Sequence, residues 1–324
     1  MDTDKLQKFL EGRGASEDKF DLYTSIAEEF EDFLKGSNHI EAPTPEDVFT
    51  FSNWMMAENQ NTHDNYLGLA LYGRFTGRMD LRNAVVSLLD GAEVMDNLYE
   101  KAGKELGKEG QEAIFASVEL PPLGTPSTEK TKITQTVMEK LESRLGEEGT
   151  RALLADSLRD LDSAWYANAR EKYLELGDFD AFLKWKGEDF TAQLEKIKAE
   201  DDVFFTQKIS DEVIAYVEAN PEIRQGVREG NILYEAKIPY MAIEYLAEKD
   251  ETMKRYYYCH CPWARESILQ EGVDIPPNFC SCSSGYHKKY YEAVLEQALK
   301  AEVLESVLAG DPWCKFAIHL PEGI

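Results

Sequence analysis

Apolar residues recur at helical spacing through the first two thirds of the chain. Tyr23, Ile26, Phe30 and Phe33 lie three or four apart, with Glu28, Glu29, Glu31 and Asp32 among the polar positions between them, and Gly36 stops that helix. Thr44 and Asp47 form a capping box around Pro45 and open a helix whose inward stripe is Val48, Phe51 and Met55. A further helix starts at Asn61-Thr62, carries Tyr66, Leu69 and Phe75, and ends at Gly77; shorter ones reach Ser117. Leu120 to Ser127 holds three prolines and a glycine, which no helix tolerates, and reads as a linker. Helices resume from Ser127 through Ile133, Val137 and Leu141, then over 152–161, 165–176, 180–198 and 211–217, with Ser210 as a cap. Residues 234–246 read as one more amphipathic stretch, interrupted at Pro239.

The rhythm changes near Met253. Residues 254–259 are aromatic and strand-like. Pro262 suits the first turn of a helix ended by Gly272, residues 279–285 read as an irregular turn, and 286–299 as a helix. Residues 302–308 and 314–320 read as strands joined by Gly-Asp-Pro, an antiparallel hairpin. The pattern predicts an α+β protein: helical regions over 1–119 and 128–250, a linker at 120–127, and a smaller α/β domain at 251–324.

Charge narrows the partners. The chain carries 35 Lys and Arg against 61 Asp and Glu, a formal charge of −26, with no basic run. That excludes nucleic acid and disfavours anionic membranes. Neither a signal segment nor an apolar run long enough to span a bilayer is present, so a cytoplasmic protein with reduced thiols is expected. From Glu251 on, seven basic residues nearly balance ten acidic ones, and this aromatic region is a candidate homodimer surface or an internal interface. Residues 30–89 loosely resemble the helical core-binding domain of phage-type integrases, through their helical rhythm and Thr-Pro-Glu-Asp-Val. Their acidity makes them a scaffold instead.

All five cysteines, Cys259, Cys261, Cys280, Cys282 and Cys314, fall in this last stretch, together with His260, His287 and His319. Three readings of them stay open. As ligands, Cys280 and Cys282 with Cys259 or Cys261, completed by Cys314 or a histidine, suit zinc, with an iron–sulfur cluster the lesser candidate. As catalysts, Cys261 before Pro262 would gain thiolate character at a helix start, with His260 or His287 as base and Arg265 and Glu266 holding a polar substrate. Trp263, Tyr286 and Asp311 would line that substrate's pocket. As structure, buried cysteines pack as small apolar groups.

Phe279-Cys280 before a Tyr-bearing helix, then a strand, then Gly310-Asp311 with Cys314 and Phe316, resembles the closing part of the L-2-amino-thiazoline-4-carboxylic acid hydrolases and their relatives. The resemblance implies a hydrolase that opens a small sulfur- and nitrogen-containing ring, with Cys280 and Cys314 lining its pocket. Cys259, Cys261 and Cys282 have no counterpart in that pattern.

Overall fold

The computed structural model describes residues 1–324 and divides into two compact units, one of Met1–Ala92 with Leu120–Lys130 and one of Glu93–Glu119 with Thr131–Ile324. The first unit is helical: α1 (Thr3–Gly12), α2 (Glu17–Gly36), α3 (Pro45–Ala57), α4 (His63–Phe75) and α5 (Met79–Leu89). Its core is the stripe the spacing predicts, with Ile26, Phe30, Phe51, Met55, Tyr66 and Leu69 buried together. The capping box forms as expected: Asp47 Oδ2 accepts from the Thr44 amide at 2.7 Å and hydroxyl at 2.8 Å. The proline-rich segment is not a free tether. It packs into this unit, where Gly124 accepts a hydrogen bond from Ser52 Oγ (3.0 Å) and Leu123 one from Asn61 (3.0 Å). Gly124 has φ +96°, and a Cβ there would lie 1.7 Å from Tyr66 Oη, so both the backbone and the space demand glycine.

The second unit contains α6 (Val94–Phe115), the part of α7 (Ser127–Leu154) from Thr131 on, α8 (Ala167–Leu176), α9 (Phe179–Ala199), α10 (Asp211–Ala219) and α11 (Pro221–Arg224) ahead of the sheet. Strands β1 (Val227–Glu229) and β2 (Ile232–Ala236) come next, then α12 (Ala242–Ala247), α13 (Glu251–Tyr258), α14 (Ser281–Leu295), β3 (Lys300–Glu305) and β4 (Lys315–His319). The sheet order is β1-β2-β4-β3, antiparallel throughout. The α+β reading therefore holds, and so does the hairpin of β3 and β4.

Five local expectations give way. Residues 155–161 do not continue a helix, because α7 ends at Leu154. Residues 232–236 form a strand rather than part of an amphipathic helix, because β4 pairs with them from Ile232↔His319 to Ala236↔Lys315. Residues 254–258 are helical because Asp250 caps α13, accepting from Met253 N–H at 2.9 Å. After Pro262 the chain makes only a turn and a short 3₁₀ segment, Arg265–Ile268. Finally, α14 begins at Ser281 instead of 286, so Cys282 and Ser283 belong to its first turn.

Strand parity divides the sheet's side chains between two cores. Leu233 pairs with Ile318 and Glu235 with Phe316, so these four share one face of the sheet. Tyr291 and Val294 of α14, with Phe179 and Phe182 of α9, share a core with Leu233 and Ile318. Ala236 and Ile238 point the other way, into a core with Leu194, Val213 and Val217. α14 reaches its position because Gly285 lets it close on residues 155–157: a Cβ there would sit 2.6 Å from the Ala155 carbonyl oxygen.

Candidate functional site

Glu235, the penultimate residue of β2, is only 5% exposed. A carboxylate buried on a sheet face has to be neutralised or paired. Here Lys186 of α9 pairs with one oxygen, Tyr291 donates to the same oxygen at 2.6 Å, and His287 Nδ1 meets the other at 3.0 Å. Lys186 also donates to Tyr291 Oη at 2.8 Å. Burial alone would raise Glu235, but Lys186 and His287 hold it down at about 2. An ionised carboxylate only accepts, so His287 carries its proton on Nδ1 and leaves Nε2 with a lone pair. Burial, opposed by Glu235, lowers the pKa of His287, and its ring lies 4.5 Å from that of Phe316.

Above this pair lies the thiol cluster. Lys237 comes directly after β2 and donates from Nζ to Ser283 Oγ at 2.9 Å. The charge on Lys237 is felt at Cys259, Cys261, Cys282 and Cys314 and at both His260 and His287, which places it among them. Cys280 in turn feels Cys314, Cys259 and Cys261. The Ser306 hydroxyl accepts from Leu308 N–H at 3.2 Å and donates to Cys280 Sγ at 3.0 Å. Cys259 and Cys314 are buried, whereas Cys261, Cys280, Cys282, Lys237, Ser283, His260 and His287 each keep part of their surface accessible. The result is a partly accessible cluster of thiols, two imidazoles and one ammonium.

The structure therefore gathers the five cysteines, His260 and His287, but changes what they can do. None of the thiols is paired in a disulfide. Burial pushes Cys259 up to about 11, Cys261 up to about 12 and Cys280 well above its usual range. These are neutral thiols at physiological pH, not poised thiolates. Cys261 gains no helix start, since its carbonyl instead accepts from Ala264 N–H and Arg265 N–H in the turn. His260 donates from Nε2 to the Ile238 carbonyl at 2.7 Å, and burial lowers it to about 3. No group of three or more His, Cys, Asp or Glu side chains is arranged to hold a metal ion, so the thiols share a region without forming a ligand shell.

The remaining expected site residues lie outside the hydrogen-bonded centre. Arg265 stacks on Tyr240 (4.6 Å) and Tyr256 (5.3 Å) and pairs with Glu266 at 3.2 Å, where Tyr256 Oη also donates at 3.2 Å. Trp263 is 1% exposed and belongs to the interior. Asp311 braces the β3–β4 turn by accepting from Ser306 N–H at 2.8 Å. Tyr286 faces solvent beside His287, and His319 pairs with Glu302 at 3.0 Å on the outer part of the sheet. Of the tyrosines read as an interface, Tyr258 and Tyr291 are fully buried within this unit. Sequence reasoning missed Glu235, Lys186, Lys237 and Ser283. The available signal was Leu233-x-Glu235-x-Lys237, two charges on the inward parity of an apolar strand.

Residues 236–324 match the profile of a family of unknown function, DUF6144. The matched stretch holds every cysteine, Lys237, His260, Ser283 and His287. No curated protein and no solved structure matches the chain. No helix is long and apolar enough to cross a membrane.

Proposed function

We propose that the second unit is a hydrolase-like enzyme for a small polar molecule, with His287 as general base. The observation that carries this reading is the buried Glu235–His287 pair. A carboxylate held ionised in a protein interior fixes one tautomer and leaves Nε2 of a neutral, partly accessible imidazole with its lone pair. Pairs of buried titratable groups pushed apart in pKa are a mark of acid–base sites. Nε2 would take a proton from water as the water oxygen adds to an electrophilic carbon. The resulting imidazolium would return that proton to the departing nitrogen or sulfur. Glu235 stabilises the imidazolium, and Lys186 and Tyr291 hold Glu235. The neutral thiols form a polarisable wall suited to a sulfur- or nitrogen-containing heterocycle, in keeping with the resemblance to ring-opening hydrolases. Free thiols also suit a reducing cytoplasm.

The test is hydrolysis of a panel of small thiazolines, lactams and thioesters, tracked by release of free thiol or amine. The native protein should turn over at least one of them. His287→Gln should lower that rate by roughly 100-fold or more, the usual contribution of a general base. Turnover indifferent to His287, or none on any compound, would remove the proposal.

A second reading rests on the gathering of five thiols from separate segments. It makes the unit a thiolate site for zinc or an iron–sulfur cluster, which would hold charge or structure rather than catalyse. A single zinc requires sulfurs about 2.3 Å from one point, so this arrangement would have to close around the metal. Elemental analysis of protein purified without added metal decides it: stoichiometric zinc or iron supports this reading, and none supports the hydrolase.

A further inference from the structure

The hydrolysis leaves Lys237 without a task. Its Nζ reaches Ser283 Oγ and lies 5.7 Å from the Phe316 ring, and no carboxylate pairs with it. Among nearby cations, Lys186 pairs with Glu235, Arg265 with Glu266, Lys288 and Lys289 with Glu292, and Lys315 with Glu222. Glu235, two residues before Lys237, is already engaged by Lys186, Tyr291 and His287. The groups facing Lys237 are protonated thiols and uncharged imidazoles. Lys237 thus has no ion-pair partner, although Arg265, Arg159, Glu93 and Asp311 act on the same thiols from further out, and a partly buried ammonium without a partner costs free energy.

The hydrogen-bond inventory points the same way. An ammonium has three donors, and Lys237 spends one on Ser283. Ser283 Oγ accepts that bond and so keeps its own O–H free to donate. Two N–H groups and one O–H therefore converge with nothing to accept them. We infer that this cluster binds a small organic monoanion whose carboxylate is held by Lys237 and Ser283. A single ammonium with no arginine fork suits one negative charge rather than a dianionic phosphate. That this anion is the substrate rests on the hydrolytic reading above; that it binds does not.

The thiols around Lys237 supply the test, because iodoacetate and iodoacetamide differ mainly in the carboxylate. Each forms a sulfur–carbon bond, expels iodide and releases the thiol proton to solvent. Alkylation rates at Cys261, Cys280 and Cys282, resolved by peptide mass spectrometry, are divided to give an iodoacetate-to-iodoacetamide ratio and compared with that of free cysteine. A partly buried counter-charge should raise the ratio about tenfold. Lys237→Gln should return it to the free-cysteine value, and Lys237→Arg should retain it. Acetate should protect the native thiols and acetamide should not. His287→Gln should leave the ratio intact even though it removes turnover, which separates failure of the hydrolase reading from failure of this one. A native ratio equal to that of free cysteine, a ratio unchanged in Lys237→Gln, or thiols that react with neither reagent in the folded protein would overturn the inference. If Lys237→Gln does not fold, the native ratio and the acetate protection decide alone.

Discussion

The two units bury different things. In the first, the interior is rings and aliphatic chains on helices, together with the buried Lys130 at its boundary, while Asp47, Ser52 and Asn65 close backbone. Asp47 caps α3, and Ser52 and Tyr66 tie down Gly124. In the second, the face of the sheet under α14 buries a carboxylate and an imidazole, with a lysine and a tyrosine to hold them. Packing does not need these groups. Replacing a buried ion pair by apolar residues of similar volume is often neutral or stabilising. The proposed general base rests on this contrast: on that reading the charge is kept where leucine would pack because His287 uses it.

The largest effect should come from breaking the network at one end. Glu235→Ala strands Lys186 and should cost about 3–5 kcal/mol in denaturant melts. Replacing Lys186, Glu235 and His287 together by Met, Leu and Leu should recover most of that stability while abolishing turnover. Phe51→Ala should cost a similar amount, about 3–5 kcal/mol, yet leave the thiol alkylation ratio untouched. A small penalty for Glu235→Ala, or a triple variant no more stable than the single one, would mean that the buried charges are ordinary structure.

Acid should separate the units next. His260 is held at about 3 against an ordinary 6.5, so the unfolded chain takes up its proton first. Its contribution is complete above pH 6.5 and is lost as pH falls toward 3, at about 1.4 kcal/mol per pH unit. Glu235, held at about 2 against 4.5, adds a second loss as pH falls from 4.5 to 2. In the first unit Asp47 is held low by His39 and Thr44 although burial opposes it, and that loss begins only near 3.8. Hydrogen exchange between pH 7 and 4 should show the second unit opening first, and His260→Gln should flatten its pH dependence. Earlier opening of the first unit would contradict the comparison.

The same contrast explains what could be read in advance. The first unit is legible because its apolar residues keep the helical period and its caps are local: Thr44 and Asp47 are three residues apart. The β3–β4 hairpin is legible because its turn chemistry is local too. The site is not, because β2 interrupts its apolar alternation with Glu235 and Lys237, which blurs it into an amphipathic stretch. The partners that make Glu235 intelligible, Lys186 and His287, are 49 and 52 residues away. Likewise the aromatic run before Cys259 suggests a strand until Asp250 is seen to cap it. Cysteine spacing points to the region where the thiols gather but gives Cys261 a thiolate character that its burial opposes, since burial cannot be read from spacing.

The smallest effect tests the link between thiols and sheet. Ser306→Ala removes one hydrogen bond to Cys280 and should cost about 1 kcal/mol. Because that hydroxyl favours the thiolate, its loss should also slow alkylation of Cys280 relative to Cys282. Unchanged relative rates would detach Ser306 from the site.

The central claim is that Glu235 sets the tautomer of His287, and long-range proton–nitrogen correlation NMR of the imidazole reads it directly. At pH 7 the account predicts a neutral ring protonated on Nδ1, with a bare Nε2 and a pKa below 6.5. A ring protonated on Nε2, or one already cationic at pH 7, would contradict it.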